Sequence, residues 1–210
     1  MEIRKPMEIE EQSFAIITKE LGDLKLDEEQ APIIKRVIHT TADFDYVRTL
    51  RFSEYAVKSA LEALKNGADI VTDTKMAMAG INKTVLSELG GSVHCFISDE
   101  DVAAQAKAEG TTRAAVSMRK AVETLKKPVI FAIGNAPTAL IELDSLIQSK
   151  KVSPALIIGV PVGFVHVCES KELIMDSGVP YIVAAGRKGG SNVAASIVNA
   201  LLYIEHPRKE

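Results

Sequence analysis

Val129-Ile130-Phe131-Ala132-Ile133-Gly134-Asn135-Ala136-Pro137 carries five apolar residues, without a charge or a polar interruption, straight into a glycine-bearing turn. A strand with one wet face alternates apolar and polar residues. A continuous apolar run suits a strand covered on both faces, as in a parallel sheet. Four further runs read as buried strands: Asp69–Thr72, Val93–Ile97, Ala155–Val160 and Pro180–Ala184. Four of the five are continuous rather than alternating.

The segments between these runs carry helical patterns. Val57, Ala60, Leu61 and Leu64 make an i, i+3, i+4, i+7 stripe on a helix that Ser53 can cap and that ends near Asn66, before Gly67. The last helix starts near Ser191, with Val193, Ile197, Ala200, Leu201 and Ile204 on one face. Two more helices precede the sheet. One spans Met7 to Leu21, and the other reaches toward His39 behind an Asp27/Gln30 capping box. Alternation with short connections predicts an α/β fold. The expected form is a flavodoxin-like three-layer α/β/α sandwich on a five-stranded parallel sheet, since five strands suit that order better than a six-stranded dinucleotide fold.

Composition sets the boundaries of function. The 210 residues are 47% hydrophobic and 25% charged, which argues against disorder and for one domain over 1–210. The net charge of −3 excludes a dominant DNA-type electrostatic footprint, so no nucleic-acid partner is expected. Cys95 and Cys168 form no CxxC pair, which leaves neither a disulfide framework nor a zinc ribbon. Met1 to Glu11 is charged and lacks a signal-peptide core. The longest stretch without a charge, Val152–Cys168, is broken by Pro154, Gly159, Pro161 and Gly163, too short and irregular for a membrane span. The expectation is a cytoplasmic protein without a membrane partner.

Ligands of open α/β sheets sit outside the carboxyl ends of the strands. There the chain places Asp73, Ser98-Asp99, Gly134-Asn135-Ala136-Pro137, Gly159 to Gly163, and Gly186-Arg187-Lys188-Gly189-Gly190-Ser191. The last loop is the best anion-binding candidate, because glycines admit a ligand to the backbone and a helix N-terminus offers free N–H groups. An ordinary tight turn with two solvated cations is the plainer alternative. Neither GxxxxGK[ST] nor a strand-following GxGxxG is present, nor a GxSxG elbow.

His39 ends a helix that bears Arg36 one turn earlier, and Thr40, Thr41, Asp43 and Asp45 follow. Hydroxyls and carboxylates can hold a histidine in one tautomer for proton transfer. A helix-terminal histidine stabilised by the dipole reads equally simply. Arg113, Arg119, Lys120, Lys126 and Lys127 suggest a basic, solvated helix face, of which Arg113 alone sits where a ligand at the strand ends could meet it. A His94/Cys95/His166/Cys168 metal site is conceivable, but strand alternation points His94 and Cys95 apart, so no metal site is expected.

Several longer words occur in order: Arg36-Val37-Ile38-His39-Thr40-Thr41-Ala42-Asp43-Phe44, Ala132 to Leu140, Gly159-Val160-Pro161-Val162-Gly163-Phe164-Val165, Glu169-Ser170-Lys171 and Gly186 to Ser191. Together, from about Ser13 to the last helix, they resemble the precorrin-8X methylmutase family. The resemblance implies a homodimer with the active site near the subunit interface and neighbouring pathway enzymes as further partners. It implies an isomerase of vitamin B12 biosynthesis that moves a methyl group from C-11 to C-12 of a tetrapyrrole corrin precursor, without a cofactor. It places the catalytic histidine at His39 and substrate contacts at Ser13 and Arg36, with Arg113 and Arg187 facing substrate carboxylates. Asn135 and Ser191, in two of the strand-end loops, complete the expected substrate set. Thr40-Thr41-Ala42-Asp43-Phe44 is more similar to the cobalt-dependent branch, in which the cobalt arrives inside the substrate. Competing readings are a nucleotide- or phosphate-binding enzyme, a corrinoid carrier, and a receiver-like domain for which Asp73 and Asp99 make too small an acidic cluster.

Overall fold

The run at Val129 explains the architecture once its alternation is followed. Ile130 and Ala132 point to one face of the sheet, and Val129, Phe131 and Ile133 to the other, and all five are buried. In this computed structural model, which describes residues 6–207, the elements run α1 (Pro6–Leu21), α2 (Ala31–Thr41), α3 (Tyr46–Thr49), β1 (Leu50–Phe52), α4 (Ala56–Lys65), β2 (Asp69–Thr72), α5 (Lys75–Gly80), α6 (Lys83–Glu88), β3 (Val93–His94), α7 (Glu100–Glu109), α8 (Arg113–Thr124), β4 (Val129–Ile133), α9 (Pro137–Gln148), β5 (Leu156–Gly159), α10 (Val167–Asp176), β6 (Tyr181–Ala184) and α11 (Ser191–Glu205). The reading of Met1–Glu11 lies partly outside the described residues.

The five expected strands all form and pair in parallel, in the order β3-β2-β4-β5-β6. The sheet itself corrects the expectation of five parallel strands. It has six strands and is mixed, because β1 pairs antiparallel with β6, Leu50 opposite Ala184 and Phe52 opposite Ile182. On one face Ile70, Ile130, Ile158 and Ile182 pack with α2, α4 and α11. On the other Val71, Phe131, Ile157 and Val183 pack with α8, α9 and α10. Each buried branched side chain contributes about 1.5–3 kcal/mol relative to exposure.

Two local expectations change. Ser53 does not cap α4; its hydroxyl accepts the Tyr181 N–H at 2.9 Å, and left-handed Tyr55 (φ 62°) precedes the helix. Asp27 caps the turn before α2, accepting the N–H groups of Glu29 and Gln30, while Gln30 makes no side-chain cap. No helix among the described residues is long and apolar enough to cross a membrane.

Candidate functional site

β1 is what carries His39 to the carboxyl edge of the sheet. Its first residue pairs with the last of β6, and the Ala185 N–H donates to Thr49 O at 2.8 Å. The end of α2 therefore lies beside the loop that leaves β6. Lys188, in that loop, donates to Asp43 at 2.6 Å and Asp45 at 2.7 Å, tying it to the turn after His39. Its ammonium holds the Asp43 carboxyl below the usual carboxylate range. The expected role of Asp43 and Asp45 beside His39 is thereby corrected, for a cation 145 and 143 residues away in sequence is their partner. The hydroxyls of Thr40 and Thr41 likewise bond back to the Arg36 and Val37 carbonyls.

His39 is exposed in the last turn of α2, which stops at left-handed Ala42 (φ 55°). Its ring stacks on Phe14 of α1, centroids 5.3 Å apart. Arg36 meets the Phe14 ring at 5.2 Å and the Tyr203 ring at 4.8 Å, and donates to Glu10 at 2.6 Å. Phe14 thus joins the two expected residues of α2, a contact the sequence does not single out. Ser13 precedes it on α1 with its hydroxyl bonded to Ile9 O at 2.9 Å. Phe14, Arg36, Pro32, Lys35, Glu28 and Tyr203 contribute to the wall of a surface cavity of about 660 Å³. This cavity follows α1, α2 and α11 away from the carboxyl edge, so it is not the strand-end site that topology predicts.

The strand-end loops divide by what their backbone is doing. The N–H groups of Gly134, Asn135 and Ala136 all donate to the buried Asp73 carboxylate, at 2.9, 2.8 and 2.7 Å. That loop has no backbone donors left for an anion at those positions, and only the exposed Asn135 side chain remains to reach a ligand. Burial pushes the Asp73 carboxyl up, against the three N–H groups that favour its charge. Gly134 lets β4 approach α11, since a Cβ there would stand 2.6 Å from Ser191 Cα.

The loop after β6 spends its Gly190 N–H on Val160 O at 2.9 Å, but the N–H groups of Arg187, Lys188 and Gly189 have no partner among the described residues. Gly190 gives α11 no side-chain cap, so no side chain among the described residues takes its first-turn N–H groups, a favourable place for an anion. Arg187 is exposed beside them, its guanidinium 5.4 Å above the Phe164 ring. Ser191 faces inward, its hydroxyl 2.8 Å from that of Thr74. Arg113, at the first position of α8, is exposed at the same edge, next to the 2.8 Å Thr112–Thr138 hydroxyl pair. No ion pair neutralises Arg113 or Arg187 among the described residues, in contrast to Arg119 and Lys120, which pair with Glu109, Asp99 and Asp101. Those pairs correct the solvated basic face at Arg119 and Lys120, while Arg113, Lys126 and Lys127 are exposed as expected. Lys126 and Lys127 lie beyond the end of α8. His94 ends β3 and stacks on Phe96, three strands away from β5, whose following loop leads to His166 and Cys168, so the four-residue metal set is not assembled.

A surface with exposed arginines, open N–H groups and a histidine on one sheet edge suits a large polyanionic ligand. The family model for precorrin-8X methylmutase matches residues 8–204. The chain belongs to the precorrin-8X methylmutase family. It is 46% identical to the cobalt-precorrin-8 methylmutase of Salmonella typhimurium, over 96% of both chains. It is 41% identical to the precorrin-8X methylmutase of Pseudomonas aeruginosa, over 95% of this chain and 96% of that protein. The crystal structure of the Thermus thermophilus precorrin-8X methyl mutase superposes with a TM-score of 0.86 at 38% identity, covering 94% of this chain and 96% of that one.

Proposed function

We propose that this methylmutase shifts a methyl group from C-11 to C-12 of cobalt-precorrin-8, giving cobyrinate on the route to cobalamin. The single observation that carries the reading is the meeting of His39, set on Phe14, with the cationic loop after β6 across the Lys188–Asp43/Asp45 bridge. The cobalt form is favoured by the Thr40–Phe44 word and by the 46% identity to the Salmonella relative, against 41% to the Pseudomonas one. The flavodoxin-like class belongs to this reading, supported by the order of the five parallel strands. So does a single domain, supported by one continuous sheet and a match over 8–204. The setting is the cytoplasm, where neighbouring enzymes supply and consume the intermediate.

A sigmatropic methyl shift moves no net electrons to or from the protein. The chain's part is to bind, orient and polarise. Arg187 and Arg113 take substrate carboxylates bidentately, and Asn135, Ser191, Ser13 and Arg36 complete the pocket. His39 donates a proton or a charged hydrogen bond to the ring nitrogen beside the migrating centre, favouring the rearranged tautomer. Phe14 fixes the plane of the imidazole. A homodimer completes the site near its interface, supported by Ile9 and Ile16, one α1 face apart by seven residues, at 52% and 49% exposure.

The test mixes wild type and His39→Ala, without air, with cobalt-precorrin-8 and with precorrin-8X, following visible spectra. Wild type converts the cobalt form faster. His39→Ala binds with a loss of about 10²–10⁴ in kcat and unchanged melting temperature, because His39 is exposed. Binding without conversion of either substrate would leave a corrinoid carrier.

A further inference from the structure

The Glu169-Ser170-Lys171 word has no part in the chemistry above, yet Lys171 is 1% exposed. Its ammonium donates to Gly186 O at 2.7 Å and Lys188 O at 2.9 Å. Between them Arg187 O accepts the Gly163 N–H at 3.2 Å. Three consecutive carbonyls therefore turn inward. A peptide plane that points its oxygen inward points the neighbouring N–H outward. The N–H groups of Arg187, Lys188 and Gly189 donate to nothing among the described residues, and the loop is exposed at 186–188. Successive outward N–H groups form an anion-binding concavity.

No carboxylate pairs with Lys171 among the described residues. A buried cation without a counter-ion is retained at a cost, and here its field acts on whatever occupies the loop above it. Burial brings its pKa down to about 8, against the neighbouring Cys168, which raises it.

We infer that Lys171 is a positioning residue. It holds the 186–188 backbone with its carbonyls inward, so that the outward N–H groups and Arg187 grip one carboxylate of the polyanionic substrate. The inference deepens the function proposed above and rests on it for the identity of the ligand. Lys171 touches the loop and not the substrate, so its loss weakens binding more than turnover.

Lys171→Met keeps the stem and removes the donors, and Lys171→Arg keeps charge and donors. In Lys171→Met the KM for cobalt-precorrin-8 rises about tenfold or more with kcat changed less than about threefold, and Lys171→Arg recovers most of the loss. A fall in kcat at unchanged KM would overturn the inference. A second measurement needs no turnover. In ¹H–¹⁵N spectra of the wild type, citrate shifts the amides of Arg187, Lys188 and Gly189, and in Lys171→Met it no longer does. Wild-type amides indifferent to citrate, or an unchanged response in a folded Lys171→Met, would each overturn it. Should Lys171→Met not fold, the wild-type and Lys171→Arg titrations still decide. A wild type that responds to citrate but converts neither precursor would sink the methylmutase reading and leave Lys171 in place.

Discussion

At the scale of single residues, the site is held by charges that come from far apart in the chain. Lys188 grips Asp43 and Asp45, and the linkage has a definite sign. Asp43 is held below its ordinary value of 3.8, so its contribution is complete above that pH and disappears as pH falls through the lowered value. Lys188 is raised above its ordinary 10.5, so its contribution is complete below that pH and is lost only in stronger base. The bridge therefore spans the whole neutral range and opens in acid. Carboxyl ¹³C NMR checks this: the Asp43 midpoint falls below 3.8, and Lys188→Ala returns it toward the ordinary value. A wild-type midpoint at or above 3.8 would exclude the bridge in solution. The same two residues show where reading by proximity in sequence misleads. Asp43 and Asp45 stand close to His39 in the chain, but charge pairing at 2.6–2.7 Å with Lys188 decides their orientation.

At the scale of elements, the contact between β4 and α11 has no slack. A methyl group on Gly134 would meet Ser191 Cα at 2.6 Å and Gly190 O at 2.8 Å, both backbone atoms that cannot swing aside. Gly134→Ala is expected to cost about 1–3 kcal/mol by overpacking and to displace the start of α11. Urea unfolding measures the first effect and substrate affinity the second; an unchanged midpoint would mean that the helix start yields freely. The central strands were legible because burial on both faces leaves a continuous apolar run, as at Val129–Ile133, all five buried. β1 was not, since Leu50-Arg51-Phe52 is three residues with an exposed arginine in the middle and owes its state to β6. Val93–Ile97 shortened to Val93–His94 because only Val93 and His94 find partners, on β2. The glycine loop after β6 was visible as a pattern. That the similar loop after β4 has lost its donors to Asp73 was not, because the carboxylate lies 61 residues upstream.

At the scale of the whole molecule, the proposed dimer makes a demand on concentration. If the site is completed at a subunit interface, turnover per chain falls on dilution in step with dissociation. Sedimentation velocity beside activity tests it, and a monomer with full turnover would exclude it. The antiparallel strand has another consequence, which concerns manufacture. Among the described residues β1 pairs only with β6, α2 packs on α11, and Asp43 waits for Lys188. Such long-range closures are slow to form. On the ribosome His39 emerges among the first fifth of the residues, but its surroundings cannot assemble until the final strand and helix have been translated. A chain released early thus has the histidine and most of the sheet without the last strand, loop and helix that complete its surroundings.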